Sequence, residues 1–381
     1  MARAAFTAGL AIAGTTATQA AVWNVQGQAS AYTGYDDNVR LSMRDAPETA
    51  YAGADASLHL AIQNPVWSTS IDPRIVWVRY RNYAILNRTE NYLNASWQQQ
   101  TETDNHNLSA NWTRDTTLTS ELGSTGLAET NKRHQSTALT WAHSTQWTER
   151  LSTQGVLFAS MHRYADAANT GLVDYNYGSA QFDMQYALAP RSQISFDANV
   201  GKLQVPDLVN VDKVNQSLML SYNLAFAERW QMKISAGPSR VHAPLSTESG
   251  TVYEFSLNRK SEISSLQLKF ARDITPTGQG ILARREQWVL SASRDLTERW
   301  SSNIKLSSTR NDNLYLSYAI TARGVRYDEV SSSLSWRCTP QIVVGLNAGY
   351  TAQKLQDEFQ VARRRYVSLM INWLGAAHTW H

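Results

Sequence analysis

Apolar and polar residues alternate with a period of two along nearly the whole of this chain, and that alternation limits the folds open to it. The last regular segment shows the pattern most clearly. Val367, Leu369, Ile371 and Trp373 fall on one face, and Tyr366, Ser368, Met370 and Asn372 on the other. Only a pleated strand places successive side chains on opposite faces. No window supplies the roughly 18 consecutive apolar residues that a spanning helix needs. A hydrophobic fraction of 43% with 18% charged residues still suits a membrane barrel, because only one residue in two meets lipid.

The same device recurs upstream. Leu218, Leu220, Tyr222 and Leu224 oppose Ser217, Met219, Ser221 and Asn223; Leu266, Leu268 and Phe270 oppose Ser265, Gln267 and Lys269. Val330, Leu334 and Trp336 oppose Ser331, Ser333, Ser335 and Arg337. In Ile75-Val76-Trp77-Val78-Arg79-Tyr80-Arg81, the arginines stand opposite Val76, Val78 and Tyr80, which suits a wall between lipid and water.

An internal echo punctuates these runs. Trp147-Thr148-Glu149-Arg150, Phe226-Ala227-Glu228-Arg229-Trp230 and Leu296-Thr297-Glu298-Arg299-Trp300 are variants of one phrase. Leu188-Ala189-Pro190-Arg191, Ile274-Thr275-Pro276 and Cys338-Thr339-Pro340 are looser versions. Short turns are placed near residues 72, 102, 147, 189, 227, 275, 297 and 339, and polar loops at 165–174, 205–212, 243–250 and 311–323. Short turns on one rim and longer loops on the other describe an outer-membrane barrel, with the short side periplasmic. The expected fold is all-β: a single antiparallel transmembrane β-barrel of about 18 strands, or about 16 if the hairpin around Ala283–Glu286 is merged. A loop hairpin outside the bilayer is expected over Thr251–Asn258.

The first twenty residues read as a signal peptide: Arg3, a small-apolar stretch from Ala4 to Ala17, and Thr18-Gln19-Ala20 at the cut, with Ala21 the alternative. The barrel then occupies residues 21–381. Thirteen Trp and 17 Tyr supply amphipathic rings for the two bilayer interfaces. The single cysteine, Cys338, cannot form an internal disulfide.

Chemistry is sparse. No Gly-x-Ser-x-Gly elbow occurs, and the histidines, among them His106, His134, His143 and His162, lack metal-ligand spacing. The chain is therefore read as no enzyme, with no cofactor and no metal. Asp36-Asp37-Asn38 offers hard oxygens for calcium, but a solvated loop start explains it better. Basic residues are interspersed with acidic ones, so no nucleic-acid stripe emerges. With the apolar face outward, the lumen-facing candidates are Arg79, Arg81, Asp183, Asp197, Lys233, Lys269, Lys305, Arg337 and Arg364. A predominantly basic inner set would concentrate anionic solutes; the competing reading is that these charges pair across neighbouring strands.

Gly34-Tyr35-Asp36-Asp37-Asn38-Val39, the segment from Arg114 to Leu127, and the Thr-Glu-Arg and Thr-Pro turns resemble the β-barrel porin 2 family over residues 22–374. That family includes outer-membrane proteins encoded with exopolysaccharide biosynthesis and PEP-CTERM sorting systems. The resemblance implies a conduit for export of a secreted exopolysaccharide, working with a periplasmic polysaccharide-export protein; it transfers no site residue. A general or anion-selective diffusion porin and a plugged barrel acting as a surface scaffold are the alternatives. Besides the polysaccharide and its export protein, the partner expected is outer-membrane lipid. The signal-peptide reading is checked by intact-mass measurement of protein from the membrane fraction. The mature chain is expected to start at Ala21 or Val22; retention of Met1 would overturn it.

Overall fold

The computed structural model describes residues 21–43, 46–121, 131–166, 170–206, 212–244, 246–314, 324–355 and 360–380. Residues 1–20, expected from the sequence to be a signal peptide, lie outside them, as do parts of several polar loops. The first nine strands are β1 (Val22–Asp36), β2 (Thr49–Gln63), β3 (Trp67–Tyr80), β4 (Arg88–Gln100), β5 (Asp104–Thr116), β6 (Arg133–Gln146), β7 (Leu151–Tyr164), β8 (Tyr175–Ala189) and β9 (Ser192–Gln204). The rest are β10 (Lys213–Ala227), β11 (Trp230–Ala243), β12 (Ser246–Lys260), β13 (Ser264–Pro276), β14 (Leu282–Asp295), β15 (Trp300–Asn313), β16 (Val325–Arg337), β17 (Ile342–Leu355) and β18 (Ala362–Leu374). Each pairs antiparallel with its sequence neighbours, and β1 also pairs with β18, from Gln28↔Leu374 to Asp36↔Tyr366. The sheet therefore closes on itself as an 18-strand barrel. A short extra strand, β19 (His378–Trp380), pairs with Trp23–Val25 at the foot of β1.

The wall is turned inside out relative to a soluble protein. Leu108, Leu157, Phe196, Leu220, Leu346 and Leu369 are exposed on its outer face, while the alternate positions carry Ser, Asn, Gln, Gly and charge. A ring of exposed tryptophans, Trp23, Trp147, Trp300, Trp336 and Trp373, marks the short-turn rim, as amphipathic rings do at a bilayer interface. Closure matters because a strand edge left in hydrocarbon would hold unsatisfied backbone groups.

The repeated turn phrase has a local cause. Thr148 Oγ1 accepts the backbone N–H groups of Arg150 and Leu151 at 3.2 and 3.0 Å. Thr297 does the same for Arg299 and Trp300, and Thr339 for Gln341 and Ile342. A threonine hydroxyl closing its own turn is a standard competitor to the ladder. In Phe226–Trp230 the threonine is replaced by Ala227, and the turn tightens to residues 228–229.

Two of the eight expected short turns move. Ile71-Asp72-Pro73-Arg74 lies inside β3, and the turn is at Asn64–Val66, where Asn64 Oδ1 accepts the N–H groups of Val66 and Trp67. Pro73 is tolerated because the β2–β3 ladder is interrupted between Ser57↔Arg74 and Leu60↔Ile71. Pro238 in β11 sits at a similar gap between Ser217↔Ser239 and Leu220↔Ala236. The turn expected near 275 is on the long-loop rim; the short one is Ser261–Ile263. Ala283–Glu286 and Thr251–Asn258 belong to β14 and β12, not to separate hairpins. Ala243–Gly250 is not a long loop either, since Ser246–Gly250 pair with β11 despite having no apolar residue.

Lipid-facing and lumen-facing neighbours should respond oppositely to charge. Leu369→Arg is expected to destabilise the barrel by about 2–4 kcal/mol in guanidinium unfolding, and Met370→Arg by under about 1 kcal/mol. Equal costs would contradict the assigned faces.

Candidate transport path through the lumen

Strand parity assigns every wall residue to lipid or lumen. Asp183, Asp197, Lys233, Lys269, Lys305, Arg337 and Arg364 stand on lumen positions, alternating with exposed apolar residues such as Phe182, Phe196, Ile234, Phe270 and Ile304. Arg79 does not. It shares the outer face with exposed Trp77, and its guanidinium donates to the carbonyls of Val78 and Arg88 at the long-loop rim. Arg81 lies beyond the end of β3, exposed, its N–H donating to Ala50 O. Val76, Val78 and Tyr80 are buried inside the barrel. Apolar pattern alone reversed the two faces here because the upper lumen is itself packed.

The lumen is not predominantly basic. Lys233 and Lys269 share Glu254 at 3.6 and 3.3 Å, and Lys305 faces Glu329 at 3.7 Å. Arg74 is bound to Asp55, Arg285 to Asp273 at 2.7 Å, and Arg364 to buried Asp36 at 2.6 Å. Asp183 stands directly opposite Asp197, which accepts from Ser221 Oγ at 2.9 Å. These cations are thus matched by acids on the adjacent strand, a pairing that register decides. These acids escaped the sequence reading because β2 and β3 alternate weakly, and because a carboxylate's partner depends on strand order. The Asp36 carboxylate, a calcium candidate, is occupied by Arg364 and the Asn38 N–H.

The long-loop half of the lumen is filled by chain. Tyr164 at the top of β7 donates to Glu121, after β5, at 2.5 Å. Gly278, in the connection 277–281 between β13 and β14, fits against both: a Cβ there would stand 2.6 Å from the Tyr164 hydroxyl and 2.7 Å from Glu121 Oε2. Val173 N–H donates to Gly278 O at 2.9 Å, and Lys213 Nζ to Gly280 O at 3.2 Å. Gly280 has φ +66° and packs against Val173 and Val205. With β6 through β12 between β5 and β13, this contact crosses the lumen.

Two apolar clusters support it. Tyr164, Leu172, Tyr175, Leu203, Val205, Val241, Leu282 and Leu314 form one. Val39, Val76, Val78, Tyr80, Leu86 and Leu118 form the other, below the connections after β1, β3 and β5. Between wall and loops runs a buried ladder: Asp115 bound to His134 Nδ1 at 2.7 Å, His134 Nε2 to His162 Nδ1 at 3.1 Å, and His162 stacked on Tyr175. At the rim, Lys202 holds the Asp212 carboxyl below the usual carboxylate range through a 3.0 Å contact. A polar pocket of about 180 Å³, lined by Gln181, Asn199, Asn215, Glu254 and Lys269 among others, remains under the connection.

The passage is therefore a polar, ion-paired tube in its short-turn half, narrowed by inward loops in its long-loop half. The barrel fold recurs in solved structures. Pseudomonas aeruginosa OpdL shares the fold at TM-score 0.50 and 9% identity, over 94% of this chain and 99% of that one. P. aeruginosa OccK2 (OpdF), solved in complex with glucuronate, matches at 0.50 and 9%, over 93% and 98%. P. aeruginosa OpdQ matches at 0.50 and 8%, over 94% and 98%. These solved structures share the closed β-barrel fold of this chain. No protein-family model and no curated protein sequence matches it, so the link to exopolysaccharide and PEP-CTERM systems rests on the resemblance at Gly34–Val39, Arg114–Leu127 and the turn phrases alone.

The glycine at 278 offers a direct test. Gly278→Val is expected to lift the 277–281 connection off Tyr164 and Glu121, raising conductance at a stability cost of about 1–3 kcal/mol. Unchanged conductance in a folded variant would show that this contact does not limit the passage.

Proposed function

We propose that the chain is an outer-membrane diffusion channel for small polar solutes, with the inward loops setting what passes. One observation carries this: a closed polar wall is continuous from the short-turn rim up to a constriction built from Glu121, Tyr164, Val173 and Gly278. A resting hydrophobic plug would need no ion-paired wall below it. A polymer conduit would require those crossing contacts to part for every chain exported. Likeness of fold to a barrel solved with glucuronate further supports small solutes over polymer.

The paired wall also bears on selectivity. Arg74, Lys233, Lys269, Arg285 and Lys305 each have an acid within reach, so neither sign of ion is concentrated strongly along that part of the wall. Export of an exopolysaccharide with a periplasmic partner has less support, and a surface scaffold would need the lumen closed to ions.

Planar-bilayer recording of the purified protein tests the reading. A small, stable conductance with a cation-to-anion permeability ratio near unity is expected. Liposomes carrying the protein should swell in glucuronate and not in a long oligosaccharide. Silence in both the native protein and Gly278→Val would favour the scaffold. Loss of secreted polysaccharide on gene deletion, with small-solute permeability unchanged, would favour export.

A further inference from the structure

The outer face carries a feature that transport does not use. At the long-loop rim, Arg272, Glu286, Arg310, Arg326 and Lys354 are direct cross-strand partners in one row over β13 to β17. Glu286 is bound to Arg272. Arg310, Arg326 and Lys354 thus stand side by side, three cations on three adjacent strands. One step below, Arg363 and Arg365 on β18 oppose Ala352 and Tyr350. Directly opposed residues on one face lie about 4.5–5.5 Å apart at Cβ, where like charges destabilise the sheet.

Local acids neutralise only part of this patch. Asp312 contacts Arg310 and Asp328 contacts Arg326, each at 3.0 Å, yet the two arginine side chains remain 59% and 62% exposed. Lys354, Arg363 and Arg365 have no ion-pair partner among the described residues. Every member points away from the lumen, since the adjacent Asn311, Val325, Gln353 and Ala362 are buried inside.

The same four strands differ at their other ends. There the outer face presents Trp300 and Trp336, stacked at 6.0 Å, with Trp373 and Ile342. Between the rims run Ile304, Val330, Leu346, Val367 and Leu369, all exposed to lipid. One strip of wall thus pairs an aromatic interface in one leaflet with a cationic interface in the other. An occupant must bring several negative charges to the long-loop rim and apolar chains down the strip. Strands lie about 4.8 Å apart, so the row spans about 10 Å, wide for a single phosphate. Arginine is suited to phosphate because its planar fork donates two parallel bonds.

We infer that Arg310, Arg326, Lys354, Arg363 and Arg365 form a docking site for the phosphates of a multiply phosphorylated glycolipid in the outer leaflet. The acyl chains lie along Val330, Leu346 and Val367. The site is independent of whether the lumen conducts.

Native mass spectrometry of the detergent-purified full chain tests this. The probes are a disaccharide glycolipid bearing two phosphates, its dephosphorylated form, a singly phosphorylated phospholipid, and inorganic phosphate. The doubly phosphorylated lipid should be retained most strongly. The Arg326→Gln/Lys354→Gln double variant should bind it at least about tenfold more weakly, and Arg259→Gln at the opposite rim should bind it normally. Heat-modifiable gel mobility verifies that each variant is folded. Should the double variant not fold, retention by the native protein must still fall as salt rises. Equal retention of the dephosphorylated lipid, salt-insensitive binding, or unchanged binding by the folded double variant would overturn the site. Displacement of the glycolipid by equimolar inorganic phosphate would reduce it to an adventitious ion only.

Discussion

Everything in this structure depends on the seam between β1 and β18. Hydrocarbon offers no partner to an exposed N–H or carbonyl, so a sheet in a bilayer must close or not exist. The seam is secured beyond its backbone ladder. Arg364 on β18 reaches Asp36 on β1 with the carboxylate wholly buried, and Asn38 donates to Arg363 O just above it. Asp37 accepts the Arg365 N–H across the same join. Breaking a buried pair by removing one partner strands the other charge, so the two chain ends are held together where loops begin. The Asp-Asp-Asn cluster at the end of β1 serves closure.

Once closed, the wall has two solvents, and the lumen has to be filled or kept wet. This chain does both. Its short-turn half carries ion pairs and hydroxyls that remain satisfied beside water, and its long-loop half is packed with apolar residues from the loops. Tyrosines complete that packing where glycine leaves room: Tyr32 lies over Gly53, Tyr51 over Gly34 and Tyr366 over Gly349, each pair directly opposed in the ladder. Such pairs let a large ring lie along the wall without narrowing the barrel further.

Much of this was readable from the residues. Period-two alternation shows strands, and the Thr-Glu-Arg and Thr-Pro phrases mark turns because a threonine hydroxyl there captures two backbone N–H groups. The count of eight short turns survived two misplacements, since Ile71–Arg74 and Thr275 were exchanged for Asn64–Val66 and Ser261–Ile263 without altering the total. Proline misled at Pro73 because a register gap, invisible in sequence, removed the penalty. Charge pairing was illegible for a related reason: Lys269 and Glu254 meet only through the register of β12 on β13. The face of Arg79 was misread because Val76, Val78 and Tyr80 pack against loops inside the barrel, and an apolar side chain in the lumen looks the same on paper as one in lipid.

That ambiguity also explains why the outer rim passed unnoticed. Arg310, Arg326 and Lys354 are far apart in sequence, each a single cation near the end of a strand, and such residues ordinarily need no account. Their meaning comes from register, which sets them in one row, and from parity, which turns them outward. Near the interface a lipid-facing cation costs little, about 0–1 kcal/mol, so position alone would be tolerated. Mutual repulsion in the row is what asks for a partner. The nearby acids, Asp312 above the row on β15 and Asp328 below it on β16, are bound to Arg310 and Arg326 and leave Lys354, Arg363 and Arg365 to the membrane. Inside the barrel the same chain sets Arg74, Lys233, Lys269, Arg285, Lys305 and Arg364 each against an acid on a neighbouring strand. A wall that balances its charges toward water and leaves this one outward patch unbalanced has its counter-charge supplied there from the bilayer.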